Sequence, residues 1–318
     1  MGKYDDAMYR YLADNDRFAE LFNVALFRGE NVLRSDMLDA EDGRYVSLKA
    51  EAQEVRSKNC FRDLKKRMKN GNWLAITAIE NQEAIDYTMP WRMMQYDSLE
   101  YEEQLRRMQN EKRAALEGEG VKPNAWNTRF TQTDKLNPVF SVCFYHGTDE
   151  WRGPTCLRDM MNFEGASSEW VELFQDYGMT LFCANKVTDW SVFKTGLKQL
   201  LQVIPFRKNK KALKELWQKE EYKHLDRDTA ETIAIMTDAI DILEHLDEYE
   251  TKEGYDMCQA MEELRQDWLS EGIEQGIEQG IEQSIRNLME TMKFTVEQAM
   301  DALKISSEER ANYLSRIQ

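Results

Sequence analysis

Residues 60–82, CFRDLKKRMKNGNWLAITAIENQ, decide the fold. Cys60 to Lys69 and Trp73 to Gln82 read as two strands flanking Asn70-Gly71, a pair whose tolerance of positive φ makes it the strongest short hairpin signal. Side chains alternate along a strand, so Glu80 and Gln82 share a face, about 7 Å apart, while Asn81 points away. Asp63 on the first strand can oppose them. Two carboxylates converging beside a carbonyl oxygen form a hard oxygen site suited to Mg²⁺ or Mn²⁺, ions that keep several waters and bind phosphate. Such an ion lowers the pKa of a bound water and neutralises charge building on a phosphodiester. Taken alone, the same spacing also arises by chance from solvated acids on an edge strand.

Outward from the hairpin, residues 5–27 place Met8, Leu12, Phe18, Leu21, Phe22 and Leu26 at helical spacing before Gly29, with a break expected near Asp14-Asn15-Asp16. Residues 30–59 are polar and hard to assign. Residues 90–116 predict a long helix opened by Pro90. Val139–Tyr145, VFSVCFY, is an apolar run of strand length and composition that predicts a buried strand ending at His146-Gly147. A shorter strand is expected at Met179–Ala184, and almost everything afterwards reads as helix. Strands confined to the first 185 residues therefore predict an α/β domain followed by a helical region. The division expected is 1–205 for the core and 206–318 for the helical C-terminal region.

Charge follows the same division. The chain has 318 residues and a net charge of -16, yet residues 1–219 hold 33 acidic and 33 basic side chains, and residues 220–318 hold 25 and 9. Apolar content of 42% supports a sizeable core. No stretch of 18 apolar residues exists and the opening residues lack a signal-peptide pattern, so a soluble, cytoplasmic chain with no membrane partner is expected. Five scattered cysteines without CxxC spacing argue against a disulfide framework or a zinc site, and three histidines argue against chemistry that needs several.

Two basic runs and one repeat remain. Residues 62–69, RDLKKRMK, read either as countercharge for phosphate around an acidic metal site or as an edge strand kept soluble by its cations. Residues 206–219, FRKNKKALKELWQK, read either as a DNA-contacting face or as a solvated helix joining core to tail. Gly-Ile-Glu-Gln occurs three times over Gly272–Gln283, and steps of four residues make the Ile and Gly stripes wind around a helix. The repeat is either a surface for close helix approach, supporting a homo-oligomer, or a solvated spacer. Thr295-Val-Glu-Gln298 and Ser306-Ser-Glu-Glu309 fit capping boxes and predict two short terminal helices.

The string Ile79–Asp97, IENQEAIDYTMPWRMMQYD, preceded by Arg62-Asp63-Leu64-Lys65, resembles the Rpn recombination-promoting nucleases, a family also labelled "putative transposase, YhgA-like" and placed in the PD-(D/E)XK nuclease superfamily. Asp14–Asn23, Tyr145-His146-Gly147 with Trp151, Leu157–Met160 and the Gly-Ile-Glu-Gln tail extend the resemblance over most of the chain. It implies a restriction-endonuclease-like mixed sheet flanked by helices, and a Mg²⁺- or Mn²⁺-dependent endonuclease that hydrolyses phosphodiester bonds in DNA. Carried over residue by residue, it makes Asp63 and Glu80 metal ligands. Gln82 stands where the wider superfamily has the lysine that orients the attacking water. Gln can position water through its amide but supplies no positive charge. Arg92, four residues from Tyr96 and on the same helix face, is the candidate for that cation, with Tyr96 beside it. Glu20 is a candidate third acid, and His146 ranks below the acids. The alternative is a catalytically decayed nuclease fold serving as a nucleic-acid or protein interaction module.

Overall fold

The computed structural model describes residues 3–41, 44–51, 54–61, 63–71 and 73–317. Two helices open the chain, α1 (Lys3–Leu12) and α2 (Asn15–Phe27), parted at the expected break, where Asp14 accepts from the Asp16 and Arg17 amides and so caps α2. Three strands follow in the polar stretch left unassigned from sequence: β1 (Leu38–Glu41), β2 (Arg44–Glu51) and β3 (Glu54–Phe61). The predicted hairpin is β4 (Leu64–Asn70) and β5 (Trp73–Gln82), joined by Gly71 at φ 61°. Asn70 pairs with Trp73, so Asn70 closes β4 and the turn falls one residue later than its Asn-Gly signal. Cys60 and Phe61 belong to β3, paired with β2, and the first strand of the hairpin begins at Leu64.

Then come α3 (Met89–Gly118), β6 (Val139–Tyr145), α4 (Ser168–Leu173) and β7 (Thr180–Cys183). The five-stranded sheet has the order β1-β4-β5-β6-β7, antiparallel from β1 to β5 and parallel from β5 to β7. This is the expected α/β fold with a mixed sheet flanked by helices. β4 lies between β1 and β5, so the RDLKKRMK run is an interior strand, and the edge-strand alternative falls. Arg62, quoted with that run, lies outside the described residues.

Alternation sends the cations of β4 to opposite faces. Lys65 faces α3, where its Nζ lies 3.2 Å from Glu100 Oε2, both side chains almost wholly buried. Lys66 faces the α1–α2 corner, donating to the Ala13 carbonyl at 2.6 Å and to Asn15 Oδ1, 4.9 Å from the Phe18 ring centroid. Helices therefore cover both faces of the sheet.

The helical region contains α5 (Leu197–Val203), α6 (Lys210–Leu216), α7 (Arg227–Met236), α8 (Ile240–His245), the two-residue strands β8 (Glu250–Thr251) and β9 (Gly254–Tyr255), then α9 (Met257–Met292), α10 (Val296–Ala302) and α11 (Ser307–Ile317). Two compact units divide the chain, Met1–Met257 and Cys258–Gln318, so the boundary expected at 205/206 falls inside the first. The reason is that α7 packs on α1. Tyr11 Oη lies 2.8 Å from Thr229 Oγ1, and Arg17 bonds Asp226 at 2.6 Å and Asp228 at 2.9 Å. In the second unit, Ile285, Ala299, Met300, Ile305 and Tyr313 form a core that joins α9, α10 and α11. The Thr295–Gln298 capping box is formed, and the Ser306 hydroxyl reaches Glu309. Along α9, Ile281 and Ile285 enter this core while Leu269, Ile273 and Ile277 are exposed.

The Lys65–Glu100 pair anchors α3 to the sheet, and removing one member strands a buried charge. Glu100→Ala is expected to cost about 3–5 kcal/mol in urea denaturation. Lys65→Met combined with Glu100→Leu is expected to recover most of that loss.

Candidate active site

β5 and β6 are parallel, so their carboxyl ends lie together, and Gln82 pairs with Tyr145 at that end. In open α/β sheets this edge is where ligands bind. Leu64 pairs with Ile79, which sets Asp63, at the bend just before β4, opposite Glu80. Asp63 Oδ2 accepts the Asn81 amide hydrogen at 2.8 Å. The acid is thus held beside β5 by backbone, and Glu80 is buried. The register and this bond set Asp63 across from Glu80. The side chain of Asn81 turns to the opposite face, as predicted, and among the described residues its buried amide has no hydrogen-bond partner.

α3 lays Arg92 and Tyr96 over the same face as the acids. Arg92 Nη1 donates to Asp86 Oδ2 at 2.6 Å and Nη2 to Tyr96 Oη at 3.2 Å. Burial alone pushes the Tyr96 hydroxyl pKa up, and the negative charges of Glu80 and Asp63 push it further, against the pull of Arg92. Burial opposes the charge on Arg92, but its bonds to Asp86 and Tyr96 and the field of Glu80 hold its pKa above the ordinary guanidinium value. Arg92 is therefore a fixed cation in the field of the acids. Lys65, two residues from Asp63 on the same face, is a second cation there, with its Nζ on Glu100.

Glu20, the candidate third acid, lies away from Asp63 and Glu80. Glu20 accepts from the Lys194 and Thr195 amides and from the Thr195 hydroxyl, and lines a groove of about 480 Å³ with Asp16, Asn23 and Arg34 that contains neither Asp63 nor Glu80. It fixes the start of the helical region onto α2. The carboxyl that α1 brings to the site is Asp5. Burial raises the pKa of Asp63, the Asn81 amide opposes that rise, and the nearby charge of Asp5 adds to it, against Arg92 and His146. Asp5 Oδ1 lies 3.1 Å from Nε2 of His146, whose ring is wholly buried. His146 thus partners an acid directly. Its own amide bonds the Gln82 carbonyl, and Gly147 follows where any Cβ would strike the Tyr145 hydroxyl and the Glu83 carbonyl. Nothing in sequence marks Asp5, since an acid in the first turn is the ordinary complement of a helix dipole.

The acids Asp63 and Glu80 offer hard oxygen donors, with the buried Cys143 thiol paired beside Glu80 on β6 and its pKa pushed up by burial and by that carboxylate. Among the described residues no group of three or more His, Cys, Asp or Glu side chains is closed into a ready metal cage. Two opposed carboxylates beside an amide suit a hard cation that keeps water ligands, and not zinc.

Residues 4–233 match the family model described as "Putative transposase, YhgA-like", and the chain belongs to that family. No curated protein and no solved structure matches it.

A carboxyl with a raised folded-state pKa binds its proton more tightly in the native state, so its contribution to stability falls as pH rises from the ordinary carboxylate range through that raised value. Asp63→Asn removes this penalty and keeps an oxygen for the Asn81 amide. In chelator at neutral pH the variant is expected to have a urea midpoint at or above that of the parent, with the difference closing at acid pH. A lower midpoint at neutral pH would contradict the geometry.

Proposed function

We propose that the protein is a divalent-metal-dependent DNA endonuclease. The observation that carries this reading is Asp63, pinned by the Asn81 amide opposite the buried Glu80, at the carboxyl end of two parallel strands and under a fixed Arg92. Membership of a family described as transposases supports DNA as the partner. Asp63 and Glu80 would hold Mg²⁺ or Mn²⁺. When bound, the ion supplies Lewis acidity and lowers the pKa of a bound water. The chain does the rest. Gln82 orients the attacking water through its amide, which can both donate and accept. Arg92, held by Asp86 and Tyr96, faces the charge that grows on the phosphate. His146 holds Asp5 beside Asp63. These parts explain hydrolysis of a phosphodiester and supply nothing specific to strand transfer.

Incubating the purified chain with supercoiled plasmid and Mg²⁺ tests the proposal. Nicking is expected, with Asp63→Ala and Glu80→Ala each slowing it by at least about 100-fold, since even groups outside the ligand shell of a metal contribute about 10–100-fold. Variants that cut as fast as the parent would overturn it.

A second reading rests on Gln82, which cannot supply the charge of a lysine: a decayed site within a nucleic-acid or protein interaction module. Calorimetry separates the two. An active site takes up Mg²⁺ or Mn²⁺ and raises the unfolding free energy by about 2.7 kcal/mol at a hundredfold excess over Kd, whereas a decayed site binds neither ion.

We also propose that the chain self-associates through α9. Leu269, Ile273 and Ile277 are exposed, and a Cβ on Gly272, Gly276 or Gly280 would meet nothing within 4 Å, which leaves that helix open to close approach. Ile273→Glu with Ile277→Glu is expected to lower the mass in light scattering. An unchanged mass would leave the repeat as a spacer.

A further inference from the structure

We propose that the basic segment Arg207–Lys219 is a docking surface for the phosphate backbone of duplex DNA, anchored beside the active site. This rests on the nuclease reading for the nature of the substrate and adds the surface that holds it.

The anchor is Arg207. Its side chain is almost wholly buried, its Nη2 donates to Glu83 Oε1 at 2.8 Å, and its guanidinium lies 4.6 Å from the Tyr4 ring centroid. Glu83 follows Gln82, and Tyr4 precedes Asp5. The start of the segment is therefore wedged between the residue that follows β5 and a residue of α1. Tyr4 is fixed in turn, its hydroxyl donating to Asp238 at 2.6 Å. Among the described residues, Nε and Nη1 of Arg207 find no hydrogen-bond partner. Burying a guanidinium so incompletely paired is costly, which does not fit a solvated connector.

Beyond Arg207 the segment turns its cations outward. α6 buries Leu213 and Leu216, and Lys208, Lys210, Lys211 and Lys214 are exposed. Lys210, Lys211 and Lys214 stand at i, i+1 and i+4, so Lys214 neighbours both of the others across one helical turn, about 6 Å along the axis from Lys210. Glu215 is the single acid in the segment. Lys208, Lys211 and Lys214 are in none of the ion pairs seen among the described residues, unlike Lys198 and Lys223 on either side, which pair with Glu221 and Glu220. In a chain of net charge -16, an outward cluster of lysines is a local reversal of field, and a polyanion is the partner it fits.

The test uses the full chain and a fluorescein-labelled DNA duplex, with anisotropy read in EDTA so that cleavage does not enter. Each lysine that contacts a phosphate adds about 0.9 to the slope of log affinity against log salt concentration. Lys208→Gln, Lys211→Gln and Lys214→Gln together are expected to weaken binding and lower that slope by about 2.7. Neutralising the exposed Lys122, Lys135 and Lys252 in the same way is expected to leave the slope unchanged. An unchanged slope in the first variant, an equal fall in the second, or a fall seen with an RNA duplex but not with DNA would each overturn the proposal. Because EDTA removes any metal from this assay, loss of nicking in Asp63→Ala decides the nuclease reading separately from this slope.

Discussion

The hydrogen bond from the Asn81 amide to Asp63 Oδ2 is the constraint on which the site depends. At the end of β5 a ladder donor is satisfied by a side chain and not by the backbone of the neighbouring strand. That exchange lets the chain leave the sheet toward β3 while the carboxylate of Asp63 stays level with Glu80. A backbone N–H also compensates a partly buried carboxylate, opposing the rise in pKa that burial and Asp5 impose. The same bond thus fixes position and makes the charge tolerable.

The two lysines of β4 extend this logic to the helices. A strand buried on both faces has no room for unpaired cations, yet Lys65 and Lys66 are adjacent and point to opposite faces. Glu100 on α3 meets Lys65. The carbonyl of Ala13, just beyond the end of α1, meets Lys66, where the helix dipole favours positive charge. Each lysine so fixes one helix against the sheet, α3 with Arg92 and Tyr96, α1 with Tyr4 and Asp5. The charges that make the segment look like a surface in sequence are what orient the site's two lids of helix.

Sequence makes legible the features that depend on period. The hairpin, the break at Asp14, α3, β6, β7 and the Thr295 cap follow from spacing and capping chemistry, and the alternation of β5 correctly sets Glu80 against Asn81. The register of the turn does not follow, because Asn70-Gly71 and Gly71-Asn72 both permit it and pairing of Asn70 with Trp73 decides. β1, β2 and β3 are missed because their apolar positions are few and small among charged neighbours, although Val46, Leu48 and Ala50 alternate with Ser47, Lys49 and Glu51 along β2. Glu20 looks as good an acid as Asp5 on helical spacing. Only the packing of α2 against Lys194 and Thr195 removes it, and only the buried ring of His146 marks Asp5. The attachment of α7 to the opening helices is illegible for a related reason: Tyr11, Thr229, Arg17 and Asp226 are individually ordinary, and their pairing across more than 200 residues has no local signature.

Acid clustering at one end of the sheet runs against stability, since Asp5 and Glu80 are each felt by groups around Asp63 and burial sharpens the repulsion. A fold selected for stability alone would place amides or apolar side chains there. The sheet instead surrounds the acids with fixed cations that stop short of neutralising them. Arg92 is committed to Asp86 and Tyr96, and Lys65 to Glu100, so neither collapses onto Asp63. Departures of this kind from the most stable arrangement collect at functional sites. The net charge of -16 is then a poor guide to the partner. Residues 1–219 are balanced in charge, with Lys65 and Lys66 buried as struts and lysines set outward along α6, and the acidic excess lies in the last third of the chain.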